Sequence, residues 1–582
     1  MKFLLVALNA KFIHSNPALH SLYAYAGKEY ESQIELAEYT INNEPLTILA
    51  DLYKRQPDVV GFSCYIWNYH MISDLITEFH KLMPDVPIWL GGPEVSFNAR
   101  DILDNKKEVK GIMIGEGEET FLHLLKYYLQ EDGYKTLREI AGIVTRENEY
   151  IQRPLLNMDT LPFLYSDLSA FENRIIYYES SRGCPFRCSY CLSSVDKTVR
   201  VRDFSLVKKE LQFFLDNKVP QVKFVDRTFN CVHQHTMDIW QYILEHDNGI
   251  TNFHFEVEAD ILRSEEMELL SKMRPGLAQL EIGVQTTNPV TLKEIRRNMD
   301  IEKLKKTVET ILGYKTVHLH LDLIAGLPYE DYESFKKSFN DVYAMHPQQL
   351  QLGFLKVLKG SYMHEKAGDY GIAYLDKPPY EVLYTNWLGY DDIVKLKRIE
   401  EMVEIYYNSN QFTHTLPVLE REFGSPFEMY EELAQFYEEK GYFVKTPSRM
   451  YRYDVLLEFV MTKVSETKQD LYKELLLFDI YLRENVKSRP KFASFLADDK
   501  QNIRTFYENE VENSRYLQGY EQFDAKQMAR MTHLEKFTYP VWNTEYEDIV
   551  ERLSEERYVL FDYMERNPLT YEAKYTGNIT LT

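Results

Sequence analysis

Three cysteines lie close together in the sequence CPFRCSYC at residues 184–191, where Cys184, Cys188 and Cys191 have the spacing C-x3-C-x2-C. An apolar run at residues 175–178 precedes them and is predicted to form a strand. Three thiolates on one loop can bind a single four-iron cluster and leave one iron open to a non-protein ligand. A structural zinc site would need a fourth cysteine or histidine nearby. The other cysteines stand alone in the sequence, so the spacing favours an iron–sulfur cluster over zinc.

Length and composition limit what surrounds this loop. A chain of 582 residues is too long for one hydrophobic core and predicts about three or four domains. The net charge of −23 disfavours nucleic acid and anionic membranes as partners, because both need clustered Lys and Arg. The low cysteine content fits a reducing cytoplasm, and no apolar segment approaches the roughly 20 residues of a membrane span. We therefore expect a cytoplasmic protein.

Residues 1–150 have the pattern of a doubly wound α/β domain. Apolar strands are predicted at residues 2–9, 33–38, 58–63, 87–90 and 111–114, and they alternate with helical patterns at residues 17–28, 45–55, 70–82 and 118–129. Alternation of this kind implies a parallel sheet that binds ligands at the carboxyl ends of its strands.

Small or turn-forming residues follow several of these strands. Glycines there let a ligand approach the backbone, and helix N-termini offer free N–H groups. Any doubly wound fold also needs glycine at such turns, so both interpretations stay open. The candidate ligand contacts are Asn9, Ser15, Ser63, Gly91, Gly92, Glu94, Gly115 and Gly117.

Residues 174–375 repeat a strand and a helix about six times, after a linker at residues 151–173 that contains Arg-Pro and Leu-Pro pairs. The predicted strands are 175–179, 221–225, 252–257, 277–283, 317–324 and 350–357, with helices such as 205–217 and 332–345 between them. Six units predict a partial (β/α)6 barrel, smaller than the full eight. Chemistry in such barrels collects at the carboxyl ends of the strands, and the cysteine loop follows the first of them.

The cysteine motif, with Tyr190 before its third cysteine, resembles the signature of the radical S-adenosylmethionine enzymes. The resemblance implies a 4Fe–4S cluster whose open iron binds S-adenosylmethionine, and reductive cleavage of that molecule to a 5′-deoxyadenosyl radical. The later strands are similar to those of coproporphyrinogen dehydrogenase and of the anaerobic porphyrin cyclase. By that comparison the S-adenosylmethionine site is lined by Tyr190, Asp226, Glu256, Gln285, Arg297, Asp322 and Ile324.

The N-terminal domain, placed before the cysteine loop, is similar to the cobalamin-binding domain of one branch of that family. The eight candidate contacts at its strand ends would then bind cobalamin. The Asp-x-His-x-x-Gly motif that supplies a histidine ligand elsewhere is missing, and His14 lies in the corresponding loop without those neighbours. We therefore expect cobalamin to bind with its own base displaced and without a histidine ligand.

Residues 376–582 change to long amphipathic helices, predicted at 391–408, 428–440, 455–464, 468–483 and 548–563. This region has many tyrosines, which at helical spacing favour a packed core over a substrate pocket. It contains no motif that identifies a substrate. The last third is therefore predicted to be a mostly helical domain of unknown role.

The two cofactors together imply that the chain methylates an unactivated carbon of a small molecule. One alternative is a radical oxidative cyclisation or rearrangement with the same cofactors, and another is a non-catalytic cobalamin or redox sensor. The resemblance also implies a flavodoxin- or ferredoxin-type electron donor.

The cysteine assignment can be tested by iron content. Anaerobically purified protein is expected to carry about four irons, and Cys188→Ala should lose both the cluster and the cleavage of S-adenosylmethionine. Cys231→Ala is the control, because this isolated cysteine is predicted to be a buried small residue and should keep both. A Cys188→Ala variant that kept the cluster absorbance would show that the assignment is wrong.

Overall fold

The computed structural model describes residues 1–131, 133–486, 488–494, 496, 499–543 and 545–581. The chain divides into two compact units. The first comprises Met1–Thr316, Ile324–Asp331 and Gly353–Gly389, and the second comprises Val317–Leu323, Tyr332–Leu352 and the chain from Tyr390 onward. In the part of the chain that is described, no helix is both long and apolar enough to cross a membrane.

The N-terminal segment of the first unit is a six-stranded sheet covered by helices. Its strand order is β2-β1-β3-β4-β5-β6; the first five strands are parallel, and β6 pairs antiparallel with β5 at the edge. The elements are β1 (Phe3–Asn9), α1 (Pro17–Ala26), β2 (Ile34–Thr40), α2 (Pro45–Arg55), β3 (Val59–Ser63), α3 (Tyr69–Leu82), β4 (Ile88–Gly91), α4 (Pro93–Ser96), α5 (Ala99–Asn105), β5 (Val109–Met113), α6 (Glu118–Tyr128) and β6 (Ile143–Thr145).

Alternate residues of β1 enter two separate cores. Leu4 and Val6 pack on one side of the sheet, and Phe3 and Leu5 pack on the other. All seven residues of the strand are buried, as expected for a parallel strand that has helices on both faces. The predicted doubly wound arrangement is confirmed, although β6 was not predicted.

The next segment contains all six predicted strand–helix units. Within the first unit, β7, β10, β11 and β12 form a parallel sheet in the order β12-β11-β10-β7. The elements are β7 (Ile176–Tyr178), β8 (Ser181–Arg182), β9 (Arg200–Val201), α7 (Phe204–Asp216), β10 (Gln221–Phe224), α8 (His233–Glu245), β11 (Asn252–Val257), α9 (Ser264–Lys272), β12 (Ala278–Gln285), α10 (Pro289–Glu294), α11 (Ile301–Tyr314), β13 (His318–Ala325), α12 (Tyr332–Tyr343), β14 (Gln349–Phe354), α13 (Tyr362–Lys366), β15 (Ala373–Tyr374) and β16 (Val382–Tyr384).

The C-terminal region is mostly helical, as predicted. It begins with α14 (Tyr390–Met402), which continues as a π-helix over Val403–Asn408. The remaining elements are α15 (Thr415–Leu419), α16 (Pro426–Lys440), α17 (Tyr442–Lys445), α18 (Tyr451–Lys463), α19 (Gln469–Arg483), α20 (Lys500–Glu512), α21 (Ala525–Met531), β17 (Thr532–Phe537), α22 (Tyr546–Ile549), β18 (Arg557–Arg566) and β19 (Ala573–Ile579).

The predicted helix at residues 548–563 is wrong. Helix α22 ends at Ile549, and most of the segment is β18, the central strand of an antiparallel sheet with β17 and β19. The run Tyr558–Phe561 is buried at four consecutive positions, so the segment has neither helical nor alternating periodicity. Pairing with two neighbouring strands, and the β-propensity of its aromatic and β-branched residues, decide the structure.

Helix α19 is enclosed by the second unit. Of its last thirteen residues, Leu471 to Arg483, all but Lys473 are buried, and two of the buried side chains are carboxylates. Asp479 accepts hydrogen bonds from the backbone N of His414 at 2.9 Å, and from the N and Oγ1 of Thr415 at 2.9 and 2.6 Å. Glu474 accepts from the backbone N of Thr538 at 2.8 Å. These carboxylates tie two separate loops to the central helix.

Replacement of Asp479 tests this role. Asp479→Asn removes one acceptor oxygen, so at least one buried donor of residues 414–415 loses its partner, at a cost of about 1–3 kcal/mol. We expect a lower melting temperature by calorimetry or circular dichroism. Asp470→Asn is the matched control, because Asp470 lies in the first turn of the same helix with a side chain that is 45% exposed. Equal melting temperatures for the two variants would contradict this role.

Candidate active site

The cysteine loop is closed at its base by the antiparallel strands β8 and β9. Ser181 pairs with Val201 and Arg182 with Arg200, so residues 183–199 form a loop with joined ends. Gly183 has φ +91°, and a Cβ at this position would lie 2.3 Å from the carbonyl oxygen of Thr198. Only glycine fits there, and this close approach fixes where the loop begins.

Backbone hydrogen bonds hold the middle of the loop. The N of Ser189 donates to the carbonyl of Ile295 at 2.9 Å, and the carbonyl of Ser189 accepts from the N of Met363 at 2.8 Å. The N of Cys184 donates to the carbonyl of Asp196 at 3.1 Å. The loop is therefore fixed at three places before any ligand is considered.

The three predicted ligand thiols share this loop. Cys184 and Cys188 are buried and Cys191 is partly exposed. Burial raises the pKa of the Cys188 thiol, and the guanidinium of Arg297, 3.7 Å from its sulfur, opposes that rise. Cys231 lies outside the loop, and burial raises its pKa to about 11. A thiol beside an arginine suits a ligand that binds as the thiolate.

Arg297 lies beside the loop in a buried polar group. Its Nη2 is 2.7 Å from Oε2 of Glu258 and also donates to the carbonyl of Gly283. Within the described residues, the Nε of Arg297, the Oε1 of Glu258 and the Oε1 of Gln285 are buried without a hydrogen-bond partner. Buried polar atoms are normally satisfied, and each orphan costs about 1–3 kcal/mol. The residues present therefore fit a polar ligand such as S-adenosylmethionine beside the cysteine loop.

Gln285 ends β12 in an unusual conformation. Its φ is +70°, which is uncommon for a residue with a side chain and often occurs at functional sites. A Cβ on Gly283 would lie 2.2 Å from Nε2 of Gln285 and 3.8 Å from Nη2 of Arg297. Gly283 thus leaves the space that both side chains occupy. Sequence reasoning missed its role, although glycine inside a strand is a signal of close approach.

Glu258, which the predicted set omits, is the carboxylate that pairs with Arg297. Burial raises the pKa of Glu258 to about 7, and the charge of Arg297 opposes the rise. Glu256 lies two residues earlier on β11, in register with Glu281 of β12. Its contact with S-adenosylmethionine stays a prediction.

Asp226 supports the loop instead of reaching outward. It is fully buried and accepts from the N and Oγ of Ser180 at 3.0 and 2.7 Å and from the Oγ of Ser181 at 2.5 Å. Burial raises its pKa to about 6, against these hydrogen bonds. Both carboxylate oxygens are engaged by the chain before the cysteines, which favours a structural role, and a direct contact with S-adenosylmethionine stays a prediction.

The remaining predicted contacts differ in position. Tyr190 is partly buried beside Cys188 and Arg297, and burial raises its pKa. Ile324 belongs to the first unit, and Asp322 belongs to the second, where its Oδ1 is 3.0 Å from Nε2 of His320. The roles of Tyr190, Asp322 and Ile324 stay predictions.

Two of the predicted cobalamin contacts hold the loop after β1. Nδ2 of Asn9 donates to the carbonyl of His14 at 3.0 Å and to Oε2 of Glu38 at 2.7 Å, and the Oγ of Ser15 donates to the carbonyl of Ile175 at 3.4 Å. His14 is also engaged, because its Nδ1 lies 2.6 Å from the hydroxyl of Tyr177. These contacts favour structural roles for Asn9 and Ser15. The Tyr177 hydrogen bond engages only one of the two ring nitrogens of His14, so the absence of a histidine ligand stays a prediction.

Glu94, a third predicted cobalamin contact, also interacts with other side chains of the chain. Its Oε1 accepts a hydrogen bond from the hydroxyl of Tyr380 and lies 3.9 Å from Nζ of Lys359. The side chain is buried, and both partners follow β14, so its contact with cobalamin stays a prediction. The interaction depends on residues nearly 300 positions apart, which single-sequence reasoning does not connect.

The four predicted glycines differ in what surrounds them. A Cβ on Gly92 would lie 2.4 Å from the carbonyl of Cys64, so the backbone itself requires this glycine. Gly115 has φ +79° and no atom within 4 Å of its ideal Cβ. A Cβ on Gly91 would lie 3.4 Å from the side chain and 4.0 Å from the carbonyl oxygen of Met113, and one on Gly117 would lie 3.0 Å from the side chain of Leu22. Open space at Gly115 fits the close approach of a ligand, whereas Gly92 needs no ligand to explain it. Ser63 accepts from Nδ2 of Asn16 at 3.3 Å.

One face of the β7–β12 sheet is charged. Lys223 and His254 are adjacent in register, and both reach Oε2 of Glu281, at 3.2 and 2.9 Å. The opposite face is aromatic: Phe224 and Phe255 are fully buried with ring centroids 4.6 Å apart. Side chains of Lys223 and Glu281 are 27% and 23% exposed. Parallel sheets are usually covered by apolar side chains on both faces, so the charged face is unusual.

Comparison with known proteins identifies the segments. The B12 binding domain family matches residues 4–125, the Radical SAM superfamily matches residues 178–342, and a protein family of unknown function, DUF4080, matches residues 368–561. The chain carries a B12-binding domain followed by a radical SAM domain. This confirms the predicted family and fold class; the predicted boundaries at residues 150, 173 and 375 stay predictions.

Several curated proteins are similar to about half of this chain. The chain is 23% identical over 368 residues to the cobalamin-dependent radical SAM methyltransferase TokK of Streptomyces tokunonensis, covering 58% of this chain and 53% of the relative. It is 21% identical over 326 residues to the anaerobic magnesium-protoporphyrin IX monomethyl ester cyclase of Cereibacter sphaeroides, covering 51% of each. The hopanoid C-3 methylase of Methylococcus capsulatus is 26% identical over 275 residues, covering 45% of this chain and 52% of the relative. The chain thus spans about half the length of these curated relatives.

Solved structures show the same fold. The cobalamin-dependent S-adenosylmethionine radical enzyme OxsB with aqua-cobalamin bound has a TM-score of 0.57 and 17% identity, covering 86% of this chain and 82% of OxsB. The methyltransferase TsrM from Kitasatospora setae with cobalamin and a [4Fe-4S] cluster bound has a TM-score of 0.53 and 16% identity, covering 65% of this chain and 79% of TsrM. At these identities the likeness concerns the fold alone.

Proposed function

We propose that this chain is a cobalamin-dependent radical S-adenosylmethionine enzyme that methylates an unactivated carbon of a small molecule. The observation that carries the proposal is the group of buried, unpartnered polar atoms of Arg297, Glu258 and Gln285 beside the three-cysteine loop. A polar ligand would hydrogen-bond these atoms, and the three thiols of the loop suit a metal centre. A B12-binding domain in the same chain supports methyl transfer as the reaction.

Each cofactor has residues that would hold it. Cys184, Cys188 and Cys191 would bind the 4Fe–4S cluster, and Arg297 would bind the carboxylate of S-adenosylmethionine through charge-assisted hydrogen bonds. The turn at Gly115 would lie against cobalamin. When bound, these three groups supply one-electron cleavage of S-adenosylmethionine and a transferable methyl group. We propose that cobalamin binds here without a histidine ligand, because the Asp-x-His-x-x-Gly motif is missing from the sequence.

The chain's own residues would orient and protect the reactants. Arg297 and Cys188 are held by burial and by the fixed loop, so the ligand groups are arranged before binding. Lys223, His254 and Glu281 would hydrogen-bond a polar substrate on the charged face of the sheet. A flavodoxin- or ferredoxin-type protein is proposed as the electron donor.

A second candidate keeps the same cofactors but gives an oxidised or cyclised product. The similarity to the anaerobic magnesium-protoporphyrin IX monomethyl ester cyclase, over 326 residues, favours it. The two candidates differ in whether a methyl group from S-adenosylmethionine appears in the product.

Labelled S-adenosylmethionine distinguishes the candidates. Reconstituted protein, a reductant and S-adenosylmethionine with a deuterated methyl group would be incubated anaerobically with metabolite extracts of cells that lack the gene. We expect 5′-deoxyadenosine and a labelled product by mass spectrometry. An oxidised product without the label would favour cyclisation. If no 5′-deoxyadenosine formed under reduction, both proposed activities would be contradicted and a sensor would be favoured.

Arg297 variants test the S-adenosylmethionine site. Loss of a charge-assisted hydrogen bond costs about 1.5–3 kcal/mol, so Arg297→Ala should weaken binding roughly tenfold to hundredfold. Arg297→Lys should recover only part, because lysine lacks the planar fork. From the sequence alone, Arg297→Ala is expected to leave thermal stability nearly unchanged. In the structure, however, Arg297 pairs with the buried Glu258, so its loss leaves an uncompensated carboxylate and should lower the melting temperature.

The double variant Arg297→Ala/Glu258→Gln separates binding from folding, because it removes both charges. It should regain part of the melting temperature and stay weak in S-adenosylmethionine binding by calorimetry. Arg296→Ala is the matched control, since Arg296 is exposed and its guanidinium lies over the ring of Tyr362. Normal affinity in the double variant would limit Arg297 to a structural role.

A further inference from the structure

Arg182 lies at the start of the cysteine loop, two residues before Cys184, and is surrounded by carboxylates. Its Nη2 is 2.5 Å from Oε1 of Glu118, its Nη1 is 3.1 Å from Oε1 of Glu116, and its Nε is 2.9 Å from Oε2 of Glu179. Glu116 and Glu118 belong to the turn after β5 that also contains Gly115. One arginine therefore joins the proposed cluster loop to the proposed cobalamin turn.

Arg200, the partner of Arg182 across β8 and β9, reaches the same turn. Its Nη1 is 2.9 Å from Oε1 of Glu116 and 2.7 Å from the carbonyl of Leu156, and its Nη2 is 3.1 Å from Oδ2 of Asp196 within the cysteine loop. Each of the two strands that close the loop thus contributes an arginine that forms an ion pair with Glu116. A shift of residues 115–118 cannot occur without a shift at the base of the cysteine loop or the loss of these ion pairs.

The contact is buried and charged. The side chains of Arg182 and Glu118 are 16% and 6% exposed, and Oε1 of Glu118 also accepts from the Oγ of Ser21 at 2.9 Å. Burial raises the pKa of Glu118, but the charge of Arg182 more than offsets it, so the pKa lies below its ordinary value. Ion pairs of this kind are weakly screened by solvent and depend strongly on geometry.

We propose that Arg182 is a positioning residue that couples the two cofactor sites, so that the cluster in its loop raises the affinity of the turn at residues 115–118 for cobalamin. This inference rests on the proposed cofactors. Linkage makes the effect reciprocal: bound cobalamin must strengthen retention of the cluster by the same factor. Arg182 itself need touch neither cofactor.

A second arginine supplies a matched control. Arg174 also joins the two segments, through an ion pair of 3.1 Å with Oε2 of Glu38, and its side chain is 17% exposed. It lies just before β7, and its partner Glu38 lies within β2 and not in the turn after β5. Loss of Arg174 should weaken the contact between the two segments and leave the coupling between the two cofactor sites unchanged.

The experiment compares cobalamin binding with and without the cluster. Hydroxocobalamin would be titrated anaerobically by absorbance into cluster-reconstituted protein and into protein stripped of iron by a chelator. In the wild type the cluster should lower the Kd by roughly fivefold or more, the usual range of coupling between sites. Arg182→Gln should bring the ratio of the two Kd values close to one, and Arg174→Gln should leave it unchanged.

A second variant and a second measurement guard against misfolding. Arg182→Lys keeps the charge but not the fork and should give an intermediate ratio. Hydroxocobalamin should slow the loss of iron to a chelator in the wild type and should have no such effect in Arg182→Gln.

Three results would overturn the coupling: a ratio of one in the wild type, a wild-type ratio in Arg182→Gln, or an equal loss in Arg174→Gln. These outcomes leave the proposed function intact, because both cofactors still bind. Protein that bound no hydroxocobalamin in either state would overturn the proposed function and the coupling with it.

Discussion

The base of the cysteine loop depends on a glycine and a buried arginine. Gly183 permits the backbone approach to Thr198, and Arg182 fixes the strand before it against three carboxylates. Buried charges of this kind contribute more to a defined geometry than to stability, because desolvation offsets much of their attraction. The loop, the turn after β5 and the chain near Leu156 are mutually positioned by the same few charges.

The candidate site is assembled but unsatisfied. The loop is fixed by backbone hydrogen bonds, Gln285 is held with positive φ, and polar atoms of Arg297 and Glu258 lack partners within the described residues. Hydrogen bonds from a bound ligand to these atoms would contribute to its affinity. The arrangement therefore favours a ligand that offers both a carboxylate and hydrogen-bond donors, as S-adenosylmethionine does.

Local patterns predicted the strands and the cysteine loop because both depend on short-range sequence. Apolar segments that alternate with helical patterns predicted the strands of the two large sheets, with the exception of β6. The short strands β8, β9, β15 and β16 were not predicted. Roles that depend on distant neighbours were not predictable in this way. Glu94 is taken by Tyr380, and Arg297 selects Glu258 rather than Glu256. The segment 548–563 becomes a strand because β17 and β19 pair with it.

The charged face formed by Lys223, His254 and Glu281 acts as an electrostatic filter on what can lie against it. A hydrocarbon molecule placed there would remove water from the ammonium and carboxylate groups and offer nothing in return, and this desolvation is unfavourable. A molecule with its own hydroxyl, amine or carboxyl groups would replace the lost water contacts. The polarity of one sheet face can thus favour water-soluble over lipid-like molecules, without any change in the cysteine loop.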